Sequence, residues 1–200
     1  GTDADNYIYA GVVGDYTVDP LALNAAIASG SNTYGSAVTL GTASFSNVVG
    51  SDVVTPSAVA VESASYSTSN NLAAGSYKQR ITSTLGGTDA GNYTLNNGFT
   101  TATNNYTVNP LALTGSIASS TTTYGDTLVP GAVSLGNVVG VDVVTPTASV
   151  STTGNTSTSG KLRAGSYIGG QYLSALAGTD AGNYTYAGVV GDYTVDPLAL

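Results

Sequence analysis

Cysteine, histidine, methionine and tryptophan are all absent from these 200 residues. Without cysteine there are no disulfides and no thiolate chemistry, and the residue that ordinarily reports an oxidising compartment is missing. Without histidine or cysteine no Ser–His or Cys–His nucleophile pair can be assembled, and the commonest nitrogen and sulfur metal ligands are gone. Charge is also scarce: Asp, Glu, Lys and Arg make up 8% of the chain, against about a quarter in ordinary soluble domains. Four cations, Lys78, Arg80, Lys161 and Arg163, are too few to line a phosphate-binding groove, so nucleic acid is not expected as a partner. The same deficit argues against docking on anionic lipid. No apolar run reaches the ~18 residues that a membrane span needs, so direct membrane insertion is not expected. Residues 1–20 hold Asp3, Asp5, Asp15 and Asp19 and no basic n-region. They do not read as a signal peptide, and an export signal is expected outside this stretch.

What is present points one way. Ser, Thr, Asn and 26 Gly supply the polar surface, and 14 Tyr with two Phe (Phe45, Phe99) supply the aromatics. Thr, Val and Tyr favour strands, Gly and Asn favour turns, and strong helix formers are nearly missing. The net charge of −8 is read as solvated acids in turns that keep a low-charge surface soluble.

An internal repeat sets the organisation. Tyr16-Thr-Val-Asp-Pro-Leu-Ala-Leu23 recurs with one change 90 residues on, at Tyr106–Leu113, and again 87 further, at Tyr193–Leu200. Asn47-Val-Val-Gly50 returns at Asn137–Gly140, Asp52-Val-Val-Thr-Pro56 at Asp142–Pro146, and Thr33-Tyr-Gly35 at Thr123–Gly125. A period near ninety suits a small domain of short strands separated by turn signals. The expected fold is all-β: tandem immunoglobulin-like (Greek-key) β-sandwich repeats of about 90 residues. Residues 1–20 are expected as the C-terminal hairpin of a preceding repeat, 21–110 and 111–197 as complete repeats, and 198–200 as the first strand of a next one. Residues 1–23 match 178–200 at all but two positions, which reads as a piece of a longer array. In the second repeat strands are predicted near 111–118, 131–139, 141–151, 165–176, 183–189 and 192–196, with further candidates at 121–124 and 161–163.

Two structural sites follow. Tyr7, Tyr93 and Tyr184 each close an Asp-x-x-Asn-Tyr run. They occupy the place of a corner tyrosine whose hydroxyl bonds back to the corner's backbone in immunoglobulin-type sandwiches. Pro20, Pro110 and Pro197 punctuate the junctions, where Asp-Pro or Asn-Pro is the only break between the last strand of one unit and the first of the next. Proline fixes φ there without adding slack, so the units should be joined semi-rigidly.

Leu111-Ala-Leu-Thr-Gly115, Pro130-Gly-Ala-Val-Ser-Leu135, Gly154-Asn-Thr-Ser-Thr-Ser-Gly160, Arg163-Ala-Gly-Ser-Tyr167 and Gly178-Thr-Asp-Ala-Gly-Asn-Tyr184 together resemble the YDG/MBG-type repeats of filamentous-haemagglutinin-like exoproteins of Gram-negative bacteria. The resemblance implies a large protein exported by two-partner secretion, extracellular at the bacterial cell surface, acting in adhesion, aggregation or biofilm matrix. The first unit departs from it, with Tyr66-Ser-Thr-Ser-Asn-Asn71 in place of the Gly154–Gly160 run. That loop is therefore not expected to carry a role common to all units.

The expected function is a structural stalk or filament repeat of an adhesin, and not an enzyme. The alternative is a glycan-binding or self-associating module acting through avidity. The expected partners are neighbouring repeats of the same chain, other copies of the protein, or a host or matrix glycan. No cofactor is expected. Calcium is the rival reading, with Asp19 and Asp196 at junctions and Asp89 and Asp180 at the corners as oxygen ligands. Turn capping explains the same acids without a metal. The repeat-equivalent pairs Tyr34/Tyr124, Tyr77/Tyr167 and Tyr93/Tyr184 are read as scaffold rather than as sugar-stacking platforms.

Overall fold

The computed structural model describes residues 1–200. Apart from three single 3-10 turns its regular structure is strand throughout, an all-β chain, in keeping with the Val-, Thr- and Tyr-rich composition. The first unit carries β1 (Leu21–Ala22), β2 (Ala25–Ile27), β3 (Gly30–Thr33), β4 (Ala43–Phe45), β5 (Thr55–Pro56) and β6 (Ala60–Val61). It continues with β7 (Gly75–Tyr77), β8 (Gln79–Ile81), β9 (Leu85–Gly86), β10 (Tyr93–Thr94), β11 (Phe99–Thr100) and β12 (Tyr106–Asn109). The second unit has fewer and longer strands. These are β13 (Leu111–Ala112), β14 (Gly115–Ile117), β15 (Ser120–Thr123), β16 (Val133–Leu135), β17 (Thr145–Val150), β18 (Gly165–Ala177), β19 (Tyr184–Thr185) and β20 (Val190–Asp196).

The main sheet of the second unit runs β15-β20-β18-β17. Its β15–β20 pair is parallel and the other two pairs are antiparallel. In the first unit the same surface is broken into β3-β12-β7, β6-β8-β11 and β5-β9. A second layer, β14 with β16, lies against β18, β20 and β17. Ile117 from β14 meets Leu173 from β18 and Val189 there to form a buried core. Every ladder closes within 21–109 or within 111–196.

The strand predicted over 111–118 is two strands with a crossing between them. Leu113 N–H still bonds Thr185 O at 2.7 Å. Thr114 N–H then turns to Asn137 Oδ1 at 2.7 Å while Asn137 Nδ2 holds Ala112 O at 2.9 Å. The side-chain amide takes over the ladder where the backbone changes sheets, pairing Thr114 N–H and Ala112 O. Asn47 does the same in the first unit, with Asn24 N–H and Ala22 O both at 2.8 Å. This is why Asn-Val-Val-Gly recurs. The runs predicted over 131–139 and 183–189 shorten to β16 and β19 because turns follow each. Only a single bridge, Thr156 to Leu162, forms at 161–163.

A glutamine pins the layers in each unit. Gln79 and Gln171 are fully buried. Gln171 Oε1 accepts Gly131 N–H at 2.6 Å and its Nε2 donates to Ala118 O at 3.0 Å. Gln79 repeats the pattern with Gly41 N–H at 2.7 Å and Ala28 O at 2.9 Å.

The hairpin expected in residues 1–20 does not form. The segment holds one 3-10 turn, Ala4–Asn6, and no strand, and every residue in it is exposed. Residues 13–19 have the same sequence as β20. In the second unit that sequence lies between β15 and β18, but β3 and β7, the corresponding strands of the first unit, are already paired to β12. With no ladder to join, the segment's strand propensity goes unused.

Candidate functional site at the joint between the two units

Pro110 alone separates β12 from β13, and the units meet directly around it. Most hydrogen bonds across the joint run from donors of the first unit to acceptors of the second; Ser69 Oγ, which accepts Val141 N–H, is the exception. Asp142, just past the turn that follows Asn137, is the hub. Its Oδ2 accepts the Tyr34 hydroxyl from across the joint and the Tyr184 hydroxyl of its own unit at 2.6 Å. Its Oδ1 accepts Ser69 N–H at 3.1 Å. Asp180 Oδ1 accepts Thr68 N–H at 2.9 Å while Oδ2 is held by Val143 N–H at 2.8 Å. Asn183 Oδ1 accepts Ala74 N–H at 2.7 Å. Ser69 Oγ donates to Val139 O at 2.9 Å and accepts Val141 N–H at 2.8 Å.

Apolar packing closes around this network. The rings of Tyr34 and Tyr184 stand edge to face, centroids 5.3 Å apart at 77°, the geometry that aromatic quadrupoles favour. One buried cluster runs through the boundary, with Tyr34, Leu72, Tyr77, Tyr106 and Val108 on one side and Leu113 and Tyr184 on the other. Tyr34 is 1% exposed and Asp180 3%, so the Tyr34–Asp142 bond at the centre is shielded from water, while the Val141–Ser69 bond lies at the exposed rim. Gly35 lets the faces close: a Cβ there would stand 2.8 Å from a Val139 methyl, inside contact distance.

Burial by itself would raise the Asp142 pKa, but the bonds from Ser69, Tyr184 and Tyr34 outweigh it and hold the carboxyl below its usual range. Asp180 is likewise pushed up by burial and brought lower overall by the Val143 and Thr68 N–H groups. Burial, and then the bond to Asp142, raises Tyr34 to about 12. The same two causes raise Tyr184. Near neutral pH the carboxylates are therefore charged and the hydroxyls keep their protons, as the network requires.

No protein-family model, curated protein or solved structure matches this chain.

The corner tyrosines expected from the sequence sit elsewhere in the bonding scheme. Tyr184 OH accepts Val139 N–H at 2.9 Å and donates to Asp142; Tyr93 OH does the same with Val49 N–H at 2.9 Å and Asp52 at 2.6 Å. Both reach a loop some forty residues earlier rather than the backbone of their own corner. Tyr7 is 80% exposed. The short tie-back belongs to Tyr77 and Tyr167, whose hydroxyls bond Ala73 O at 2.7 Å and Arg163 O at 2.6 Å, four residues upstream. Of the prolines, Pro110 lies in the joint, Pro20 precedes β1 and Pro197 follows β20.

The acids named for calcium are not brought together, and no three acidic side chains converge anywhere. Both Asp180 oxygens already hold N–H groups. Asp89 Oδ2 accepts Val53 N–H at 2.8 Å and the Thr88 hydroxyl at 3.1 Å. Asp19 and Asp196 are exposed.

Asp142 and Ser69 are the residues the sequence reading missed. The signal for Asp142 was its recurrence in Asp-Val-Val-Thr-Pro. The loop set aside as a departure, Ser67-Thr-Ser69, is central. It forms the same small hairpin as Ser157–Ser159, with the bridge Tyr66–Leu72 matching Thr156–Leu162. Asn70 at φ +58° stands where Gly160 has φ +76°, a left-handed position that asparagine tolerates.

Proposed function

We propose that this chain is a spacer, a stalk or filament repeat of a large secreted bacterial surface adhesin. Its product is a fixed distance between whatever lies at its two ends. The observation that carries the reading is the joint: a buried carboxylate shared by both units, with one proline as the whole connection. A flexible tether would instead be Gly/Ser-rich and open. The ordered motifs resembling YDG/MBG-type repeats support an extracellular setting in adhesion or biofilm matrix. Within this proposal each unit is an immunoglobulin-like Greek-key sandwich. Support comes from the two packed layers and from the opening segment, which pairs in turn with β19, β16 and β20.

Small-angle X-ray scattering on the full chain tests the spacer reading. Two units fixed end to end predict a rod of roughly 60–80 Å, from about 30–40 Å per unit at 3.3 Å per strand residue, with the loose residues 1–20 adding a weak tail. A broad distance distribution, as from two bodies moving independently, would remove it.

A further inference from the structure

The joint uses one face of each unit, and each unit has both faces. Within residues 1–200 the donor face of the second unit and the acceptor face of the first meet no other unit. We infer that a second copy of this chain docks there, its first unit seated on the second unit of its neighbour through the same set of contacts that joins the two units internally. This deepens the spacer reading and rests on the internal joint as the element that sets unit against unit.

The equivalences are residue by residue. On the donor side, Tyr124, Thr158, Ser159 and Ala164 stand where Tyr34, Thr68, Ser69 and Ala74 stand in the closed joint. Tyr124, Thr158 and Ala164 line an open cleft of about 590 Å³ together with Pro197 and Leu198, and Ser159 Oγ lies 3.3 Å from the Tyr124 hydroxyl. On the acceptor side, Asp52, Asp89 and Asn92 stand where Asp142, Asp180 and Asn183 stand. Asp52 Oδ2 already accepts Tyr93 OH and Asp89 Oδ2 already accepts Val53 N–H, just as Asp142 and Asp180 do within their own unit. Their Oδ1 atoms, which in the closed joint accept Ser69 and Thr68 N–H, face no donor here.

Burial follows the same division. Asn183 is buried and Asn92 exposed; Tyr34 is buried and Tyr124 only half so. A Cβ on Gly35 or Gly140 would press on the opposite unit, whereas one on Gly125 or Gly50 would meet nothing. The open faces are the closed joint with the partner removed. They also differ in charge in a way the internal joint does not. Lys161 and Arg163 replace Asn71 and Ala73 on the open donor face, near enough to Tyr124 to contribute to lowering its pKa after the Ser157 and Ser159 hydroxyls. The acceptor face opposite carries Asp52 and Asp89. Opposite charges on two ends that fit each other steer head-to-tail contact and oppose head-to-head contact.

Docking requires two segments to step aside, and both are free to do so. Residues 1–20 of the incoming copy join no ladder, and Leu198 and Leu200 are exposed. Leu21–Leu23 of the incoming copy would fill the place that Leu198–Leu200 leave, as Leu111–Leu113 do inside the chain.

The test is sedimentation velocity on the full chain over a range of concentration, with variants that spoil one end each. Asp52→Asn keeps an acceptor for Tyr93 but removes one of the two carboxylate charges, the one equivalent to Asp142, from the acceptor face. Tyr124→Phe removes the hydroxyl from the donor face, and Ser159→Ala serves if Tyr124→Phe disturbs folding. The native chain should form elongated head-to-tail oligomers. Each variant alone should associate about tenfold more weakly, the loss expected for one hydrogen bond to a charged group. An equimolar mixture of the two should regain native-strength dimers and stop at dimers, because each supplies one sound end. A native chain that stays monomeric to roughly 1 mM, the effective concentration of a tethered neighbour, overturns the inference. So do variants that associate as well as native, or a mixture that does not recover. Scattering from the monomer is read separately, so failure here leaves the spacer proposal standing, and a flexible monomer sinks that proposal alone.

Discussion

Asp142→Ala is the sharpest perturbation of the joint, because the first unit contains its own control. Asp142 accepts three donors: Tyr34 OH and Ser69 N–H across the boundary and Tyr184 OH within its unit. Asp52, its repeat equivalent, accepts only Tyr93 OH. A hydrogen bond to a charged group contributes about 1.5–3 kcal/mol net. Asp52→Ala should therefore cost about 1.5–3 kcal/mol. Three bonds to one carboxylate do not add independently, since losing one lets the others relax. The expected cost of Asp142→Ala is about 3–5 kcal/mol, near the upper end for single substitutions. Urea unfolding followed by far-ultraviolet circular dichroism measures both, and the difference between the two midpoints isolates the inter-unit part. Scattering on the Asp142→Ala chain should also broaden, since the hub no longer fixes one unit against the other. Equal costs for the two substitutions would refute the reasoning, because the bonds from Tyr34 and Ser69 would then contribute nothing.

Stability of the joint should form a plateau with two shoulders. The Asp142 and Asp180 pKa values are depressed in the fold, so their contribution is complete above the unfolded value near 3.8 and is lost as pH falls through the lower folded values. Tyr34 is shifted the other way, so its contribution is complete below pH 10 and is lost as pH rises toward about 12. Thermal unfolding across pH 2–12 reads both shoulders, and a monotonic profile would count against the network. In the second unit Gln171→Leu leaves Gly131 N–H and Ala118 O without their buried partner. The expected loss is about 2–4 kcal/mol, with faster amide hydrogen exchange at Gly131; unchanged protection there would refute the pinning role.

Much of the fold was legible because strand propensity and turn residues act locally. β18, predicted over 165–176, spans Gly165–Ala177. The crossing at Leu113–Thr114 was not legible, because it depends on Asn137, an amide that reaches it only after folding. The candidate site was legible as a set of recurring motifs and not as a site. Asp142, Asp180, Asn183 and Tyr184 lie in two separate markers, and their donors Tyr34, Ser69 and Ala74 lie in three stretches of the preceding unit. Nothing along the chain says that these five stretches meet.

Composition and period determined the class of structure: an all-β chain with a repeat of about ninety residues and without thiol or imidazole side chains. These follow from which groups are present and from preferences each residue expresses with its immediate neighbours. Tertiary structure alone decided that Tyr184 would face Asp142 rather than its own corner, that Ser67-Thr-Ser69 would be the donor edge of a joint, and that residues 13–19 would stay unpaired while the identical 190–196 segment lies in the middle of a sheet. In each case the deciding quantity is the presence of a partner brought from far along the chain, and a sequence states its own groups without stating what will stand opposite them.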